Sequence, residues 1–312
     1  MRRTCLASVY ELAQHDERIV FIGSDLGPGV LDEMKTEMPG RWFMEGISEQ
    51  NMIGMAAGLA MEGYIPYVNT IATFITRRCY EQVALDLCLH NLPVRLIGNG
   101  GGLVYAPLGP THLAIEDMAI MRSLPNMTVV APTDADEMRR FMEMTPDHPG
   151  PVYIRLAKGG DEIVSRDEDG FQIGKAILLR DPAEVLIVAT GVMVNRVLAA
   201  AEALSEKEIG CGVLNMHTVK PLDTEQLLEL VSKVRLVVTV EEHTLPGGLG
   251  SAVVETLADH LGTSQPAILR LGIPDTFAAE YGSQDSLLET YGLQPDGIAT
   301  RIETSYSSLA SG

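Results

Sequence analysis

Short apolar runs recur along this chain, and stretches of helical periodicity fill the intervals between them. Ile19-Val20-Phe21-Ile22-Gly23 reads as a buried strand, followed by the turn-rich Ser24-Asp25-Leu26-Gly27-Pro28-Gly29. Residues 64–68, 94–98 and 127–130 repeat the pattern. Strands that are apolar throughout and alternate with helices predict a parallel sheet covered on both faces. Around residues 158–174 the composition turns charged and glycine-containing, which predicts a linker, assigned to residues 166–180. Beyond it the strand pattern restarts at 185–189, 212–216 and 236–240, with a helix near 194–204. The expected class is α/β with two domains, 1–165 and 181–312, each a mainly parallel sheet flanked by helices.

Composition narrows the function more than the fold. A length of 312 residues suits two domains with separate cores, and a net charge of −19 disfavours nucleic acid or an anionic membrane as a partner. The four cysteines, Cys5, Cys79, Cys88 and Cys211, have no metal-binding spacing and fit reduced thiols in a cytoplasmic protein. Neither a long apolar leader nor a run near the roughly 20 residues of a membrane span is present, so a soluble, unprocessed chain is expected.

Chemistry is expected first at Glu49, which opens a helix whose residues 53–61 are all apolar or glycine and which is therefore expected to be buried. A carboxyl group at the edge of such a region needs a partner, and burial favours sharing a proton with a ligand atom. A helix-capping role is the plain alternative. Gly98-Asn99-Gly100-Gly101-Gly102 follows a strand, where open parallel sheets place ligand crevices, but it has neither dinucleotide nor P-loop spacing and reads equally as a flexible loop. His112 follows the stiff turn Gly109-Pro110-Thr111, a suitable mount for an imidazole, although a lone loop histidine is more often a surface group. Taken alone, Phe74 reads as core and Arg77-Arg78 as a solvated face. Glu241-Glu242-His243 with Gly247-Gly248-Leu249-Gly250 lies between a strand and a helix, and is either an anion site at the helix start or a structural turn.

In order, these segments resemble the second half of transketolase, the pyrimidine-binding domain plus the C-terminal domain. The resemblance runs from about residue 3 to about 302. It rests on Gly23-Ser24-Asp25-Leu26, Gly46-Ile47-Ser48-Glu49-Gln50 with Ala57-Gly58-Leu59-Ala60, Phe74 with Glu81-Gln82, and Leu92-Pro93-Val94. Gly109-Pro110-Thr111-His112, Arg122-Ser123-Leu124-Pro125-Asn126-Met127 and the Glu241 segment complete it. The resemblance implies thiamine diphosphate as cofactor, with Glu49 bonded to N1′ of the aminopyrimidine so that its amino group can take the C2 proton. It implies that Phe74 stacks on that ring, that Asp25 lies at the cofactor's edge, and that His112 faces the substrate. Arg155 matches an arginine gripping the far end of a sugar phosphate, with Arg3 and Arg78 as weaker candidates near the cofactor and substrate.

Departures from the family pattern carry information as well. The diphosphate-binding half, with Gly-Asp-Gly and a downstream Asn holding Mg2+, has no counterpart; Glu168-Asp169-Gly170 lacks the Asn. A separately encoded N-terminal subunit is therefore expected to hold the diphosphate and Mg2+, in a heterotetramer. Leu108 and Gly100 stand where typical transketolases have an aspartate and a histidine, which implies an altered substrate pocket. The implied activity is transfer of a two-carbon ketol unit from a ketose, or ketose phosphate, to an aldehyde. The alternatives are the beta subunit of a 2-oxo-acid dehydrogenase's first component and an acyloin-forming enzyme like deoxyxylulose-phosphate synthase.

Overall fold

The computed structural model describes residues 1–24 and 29–310. Two sheets organise it. The first contains β1 (Ile19–Gly23), β2 (Trp42–Met44), β3 (Ile65–Ile71), β4 (Arg95–Asn99), β5 (Thr128–Val130), β6 (Val152–Leu156) and, from far along the chain, β10 (Thr218–Lys220). Its order is β10-β5-β6-β4-β3-β1-β2, parallel except at β10. The second contains β7 (Ile177–Arg180), β8 (Val185–Ala189), β9 (Cys211–Asn215), β11 (Leu236–Thr244) and β12 (Ala267–Ile273), in the order β12-β11-β8-β9-β7, parallel except at β7. The expected α/β class, with two mainly parallel sheets flanked by helices, is what the chain forms.

Side-chain alternation explains why both faces of each sheet are covered. In β1, Ile22 packs with Met52, Ile53 and Ala56 of helix Glu49–Met61, while Phe21 points to the opposite core with Met138 and Phe141. In β8, Val185, Ile187 and Ala189 face helix Met193–Ser205, and Leu186 and Val188 face helix Leu249–Leu261.

Three features differ from the sequence reading. Strand β7 occupies 177–180, inside the expected linker, as the antiparallel edge of the second sheet. Strand β10, beyond the linker, pairs with β5 of the first sheet. Helix Glu49–Met61, expected to be buried along its length, buries one face only: Asn51, Gly54, Gly58 and Met61 are exposed, and a Cβ added at Gly54 or Gly58 would meet nothing within 4 Å. From Ile53 on its residues are apolar or glycine all round, but only the stripe through Met52, Ile53, Ala56, Ala57 and Ala60 is buried. Among the described residues no helix is long and apolar enough to cross a membrane.

Candidate active site

The parallel strands β1 to β4 deliver their carboxyl ends to one side, where ligand crevices form in open sheets. Short polar side chains tie these ends together: Ser24 Oγ donates to Thr70 Oγ1 (3.1 Å), and Asn99 Nδ2 donates to Asn69 Oδ1 (2.5 Å) and to the Thr70 carbonyl (3.2 Å). On this edge β2 leads to Glu49, β3 runs directly into helix Ala72–Thr76 carrying Phe74, and the loop after β4 carries His112.

Those three residues and Arg78 form one contiguous group. Arg78 Nη1 donates to Glu49 Oε1 at 3.2 Å, the Arg78 Cζ lies 3.6 Å from the Phe74 ring centroid, and the Phe74 ring meets the His112 imidazole edge-on at 5.2 Å. Glu49 is 6% exposed. Its carboxylate is spent on this ion pair; Ser48, at the N-cap, sends its hydroxyl to the Glu45 carbonyl (2.8 Å) and leaves the helix start without a side-chain cap. Behind the group, burial, with the Glu49 charge adding to it, pushes the Cys79 thiol up to about 12. His112 Nδ1 bonds to Thr111 Oγ1 at 2.9 Å, which orients the ring.

Arg77, read from sequence only as part of a solvated face, fixes the mount of His112. Its guanidinium pairs with Glu116 at 3.1 Å, donates to the Leu113 carbonyl at 3.4 Å and bonds to Thr73 Oγ1. It thus joins the Phe74 helix to the His112 loop. The Arg77-Arg78 dipeptide was the available signal, but sequence gives no direction for two adjacent long side chains, one of which turns to the loop and the other to Glu49.

Asp25 is outside the described residues. Arg3 is exposed at the start of helix Arg2–His15, which packs on β1 and on helix Ala135–Met144. Arg155 is 6% exposed, with Nε on Asp117 Oδ2 at 2.8 Å and Nη2 on the carbonyls of Glu242 (2.8 Å) and Ala114 (3.2 Å). Burial opposes its charge, but Asp117 outweighs this and raises its pKa. The expected grip on a sugar phosphate is corrected accordingly: the guanidinium is spent inside the protein, as a strut between the two domains. Gly100 has φ +69°, and a Cβ there would lie 2.2 Å from the Tyr105 ring, so backbone and packing demand glycine whatever the substrate. Leu108 is 49% exposed in the turn before Gly109.

The Glu241 segment resolves as structure. Glu241 accepts from the backbone N–H groups of Leu249 (2.7 Å) and Gly250 (2.9 Å), so the anion at that helix start is the chain's own carboxylate. Glu242 accepts from Leu103 N–H and Gln284 Nε2, both at 2.8 Å, and His243 Nε2 accepts from Ala119 N–H at 3.2 Å. The bonds from Leu103 to Glu242 and from Ala119 to His243 clasp the domains together. Burial pushes His243 down to about 4, which keeps it neutral and leaves Nε2 free to accept.

A cavity of about 650 Å³ lies in the seam between domains, near Lys158, Asn195 and Arg196. None of the Glu49 group lines it. The group sits at the carboxyl edge of the first sheet instead.

Known proteins agree with this architecture. Residues 1–160 match the transketolase pyrimidine binding domain and residues 174–298 the transketolase C-terminal domain. The chain is 40% identical over 294 residues to the 6-deoxy-6-sulfo-D-fructose transketolase subunit SqwH of Clostridium sp. (strain MSTE9), covering 94% of this chain and 90% of that one. It is also 40% identical over 303 residues to the 1-deoxy-D-xylulose-5-phosphate synthase of Synechococcus sp. (strain JA-2-3B'a(2-13)), but spans only 46% of it. Among solved structures, one described as "Split gene transketolase, inactive beta4 tetramer" superposes with a TM-score of 0.89 at 35% identity, covering 97% of both chains. A transketolase of Pichia stipitis shares the fold at 20% identity and a TM-score of 0.75, over 97% of this chain and 45% of that one. With both domains matched in order, and a relative of similar length covered over nine-tenths of its chain, the chain belongs to the transketolase family.

Proposed function

We propose that this chain is the C-terminal subunit of a two-component, thiamine-diphosphate-dependent transketolase that passes a two-carbon ketol unit from a ketose, or ketose phosphate, to an aldehyde. The observation that carries this reading is the contiguous Glu49, Arg78, Phe74 and His112 group at the carboxyl edge of the first sheet. The residues fit the aminopyrimidine part of the cofactor. A planar, N–H-bearing guanidinium already lies within hydrogen-bond reach of the Glu49 carboxylate and over the Phe74 ring, so the space there accepts a flat group.

When bound, the cofactor would supply an electron sink for the negative charge left on the donor's carbonyl carbon as the bond beside it breaks. Glu49 would hold a proton at the ring nitrogen it faces, its low exposure strengthening that bond. Phe74 would fix the plane of the ring, and His112, held by Thr111, would donate to or accept from substrate oxygens as charge moves. The diphosphate and Mg2+ fall to an N-terminal partner subunit, and the assembly is a heterotetramer. A cytoplasmic location accords with four free, buried cysteines. The relative of similar length, named for 6-deoxy-6-sulfo-D-fructose, supports a ketose donor with an anionic far end.

A second reading, an acyloin-forming synthase fed by a 2-oxo acid, is favoured by the identity to the deoxyxylulose-phosphate synthases. Mixing the purified chain with a subunit carrying the diphosphate half, thiamine diphosphate and Mg2+ separates the two. Ketol transfer between ketose and aldehyde, without loss of CO2, supports the first; CO2 release from a 2-oxo acid supports the second. Turnover by this chain without the partner would overturn both readings as drawn.

A further inference from the structure

Arg78 stands where the two groups proposed to hold the cofactor ring converge. Its Cζ is 3.6 Å from the Phe74 centroid and its Nη1 is 3.2 Å from Glu49 Oε1. The first distance is a single van der Waals layer, so nothing else fits between guanidinium and phenyl. We infer that Arg78 is a latch: in the free chain its guanidinium occupies the seat of the aminopyrimidine between Glu49 and Phe74, and it must swing out before the ring can enter. This rests on the cofactor reading above and adds to it a competitor built into the same chain.

The chemistry of the side chain suits the role. A guanidinium is flat, stacks on aromatic faces and presents N–H donors in its plane to a carboxylate, as an aminopyrimidine does once its ring nitrogen shares the Glu49 proton. The Arg78 side chain is 46% exposed, whereas that of Glu49 is 7% exposed, so the cation leaves without emptying a core, and its departure uncovers the carboxylate. The backbone need not follow, because Gln50 Nε2 donates to the Arg78 carbonyl at 3.0 Å and ties that segment to the Glu49 helix. An ion pair and a cation–π contact on a half-exposed side chain together bias the seat about tenfold, or about 1.4 kcal/mol. The subunit alone therefore holds the ring weakly, and binding of the diphosphate by the partner tips the exchange.

The test uses the full chain and a neutral probe, 4-amino-5-hydroxymethyl-2-methylpyrimidine, titrated by calorimetry, so that loss of a charge at position 78 does not itself alter the attraction. Arg78→Ala should bind the probe about tenfold more tightly than the parent chain, Arg78→Lys should fall between them, and Phe74→Ala should lose binding. Equal or weaker binding by Arg78→Ala, with Phe74→Ala still deficient, overturns the latch and leaves the seat intact. Unimpaired binding by Phe74→Ala, or no binding by any form, overturns the seat and the latch together. A second readout needs no variant: the Arg78 Nε–H resonance should carry a ring-current shift in the free chain that the probe removes, and absence of that shift overturns the latch.

Discussion

Arg155 and Asp117 form an ion pair sealed in the seam between the two domains, Nε to Oδ2 at 2.8 Å, with side-chain exposures of 6% and 0%. Tyr153 donates to the same Asp117 oxygen at 2.7 Å. Removing the cation strands a buried carboxylate, so Arg155→Ala should lower the unfolding free energy by about 3–5 kcal/mol. Adding Asp117→Asn should recover part of it. Urea titrations of the three forms check this, and a loss below about 1 kcal/mol for Arg155→Ala would contradict the role of strut.

Glu49 predicts the opposite split between activity and stability. Its partner, Arg78, is half exposed, and such pairs contribute about 0.2–1 kcal/mol. Glu49→Gln should leave the thermal midpoint within a few degrees of the parent and lower kcat of the reconstituted complex by about 10²–10⁴. Activity within tenfold of the parent would remove Glu49 from the chemistry.

Glu137 links pH to the joint between domains. It accepts from Thr133 N–H (2.6 Å) and from Asn215 Nδ2 of β9 (2.7 Å), and burial nevertheless pushes its pKa from 4.5 up to about 7. A carboxyl raised on folding contributes stability that is complete below its unfolded value and is lost as pH rises through its folded value. The stability advantage of the parent over Glu137→Gln should therefore shrink between about pH 4.5 and pH 8. Buried His217, pushed down to about 3, loses stability in the other direction as pH falls below 6.5, so the difference between the two proteins is the quantity to follow by thermal melts. A difference independent of pH would show that Glu137 does not titrate in this window.

Two glycines should respond with opposite signs. Gly102 has φ +67°, and a Cβ there would stand 2.4 Å from the Glu242 carboxyl carbon; Gly102→Ala should destabilise by about 2–4 kcal/mol. Gly54 lies in a helix interior with open space around it, so Gly54→Ala should stabilise the isolated chain by about 0.5–1 kcal/mol. Chemical denaturation of the two variants measures both, and a shared sign would show that one local environment is wrongly described.

The central strands were legible because burial on both faces leaves continuous apolar runs, as in β1 and β8. Edge strands were not. β7 and β12 carry Arg180 and Arg270 and are only half buried along much of their length, and the three-residue β10 is defined by a pairing partner some ninety positions away. β6 was hidden by Arg155, whose charge interrupts a run that is nonetheless buried throughout. In the candidate site, Glu49 stood out because it opens an apolar, glycine-studded helix, whereas Phe74 and His112, which alone read as core and surface, were singled out only by the family resemblance. Where the Arg78 and Arg155 guanidinium groups end up depends on contacts 29 and 38 residues distant, which local pattern does not encode.

β10 carries one more consequence. A cut placed between the two matched family segments looks clean in sequence, yet it would remove the strand that covers the free side of β5. The severed first half would expose a raw row of N–H and C=O groups, the kind of edge that recruits other chains and drives aggregation. Expression of that half alone should yield sticky, poorly soluble material, and a chimera that keeps residues 218–220 in place should not.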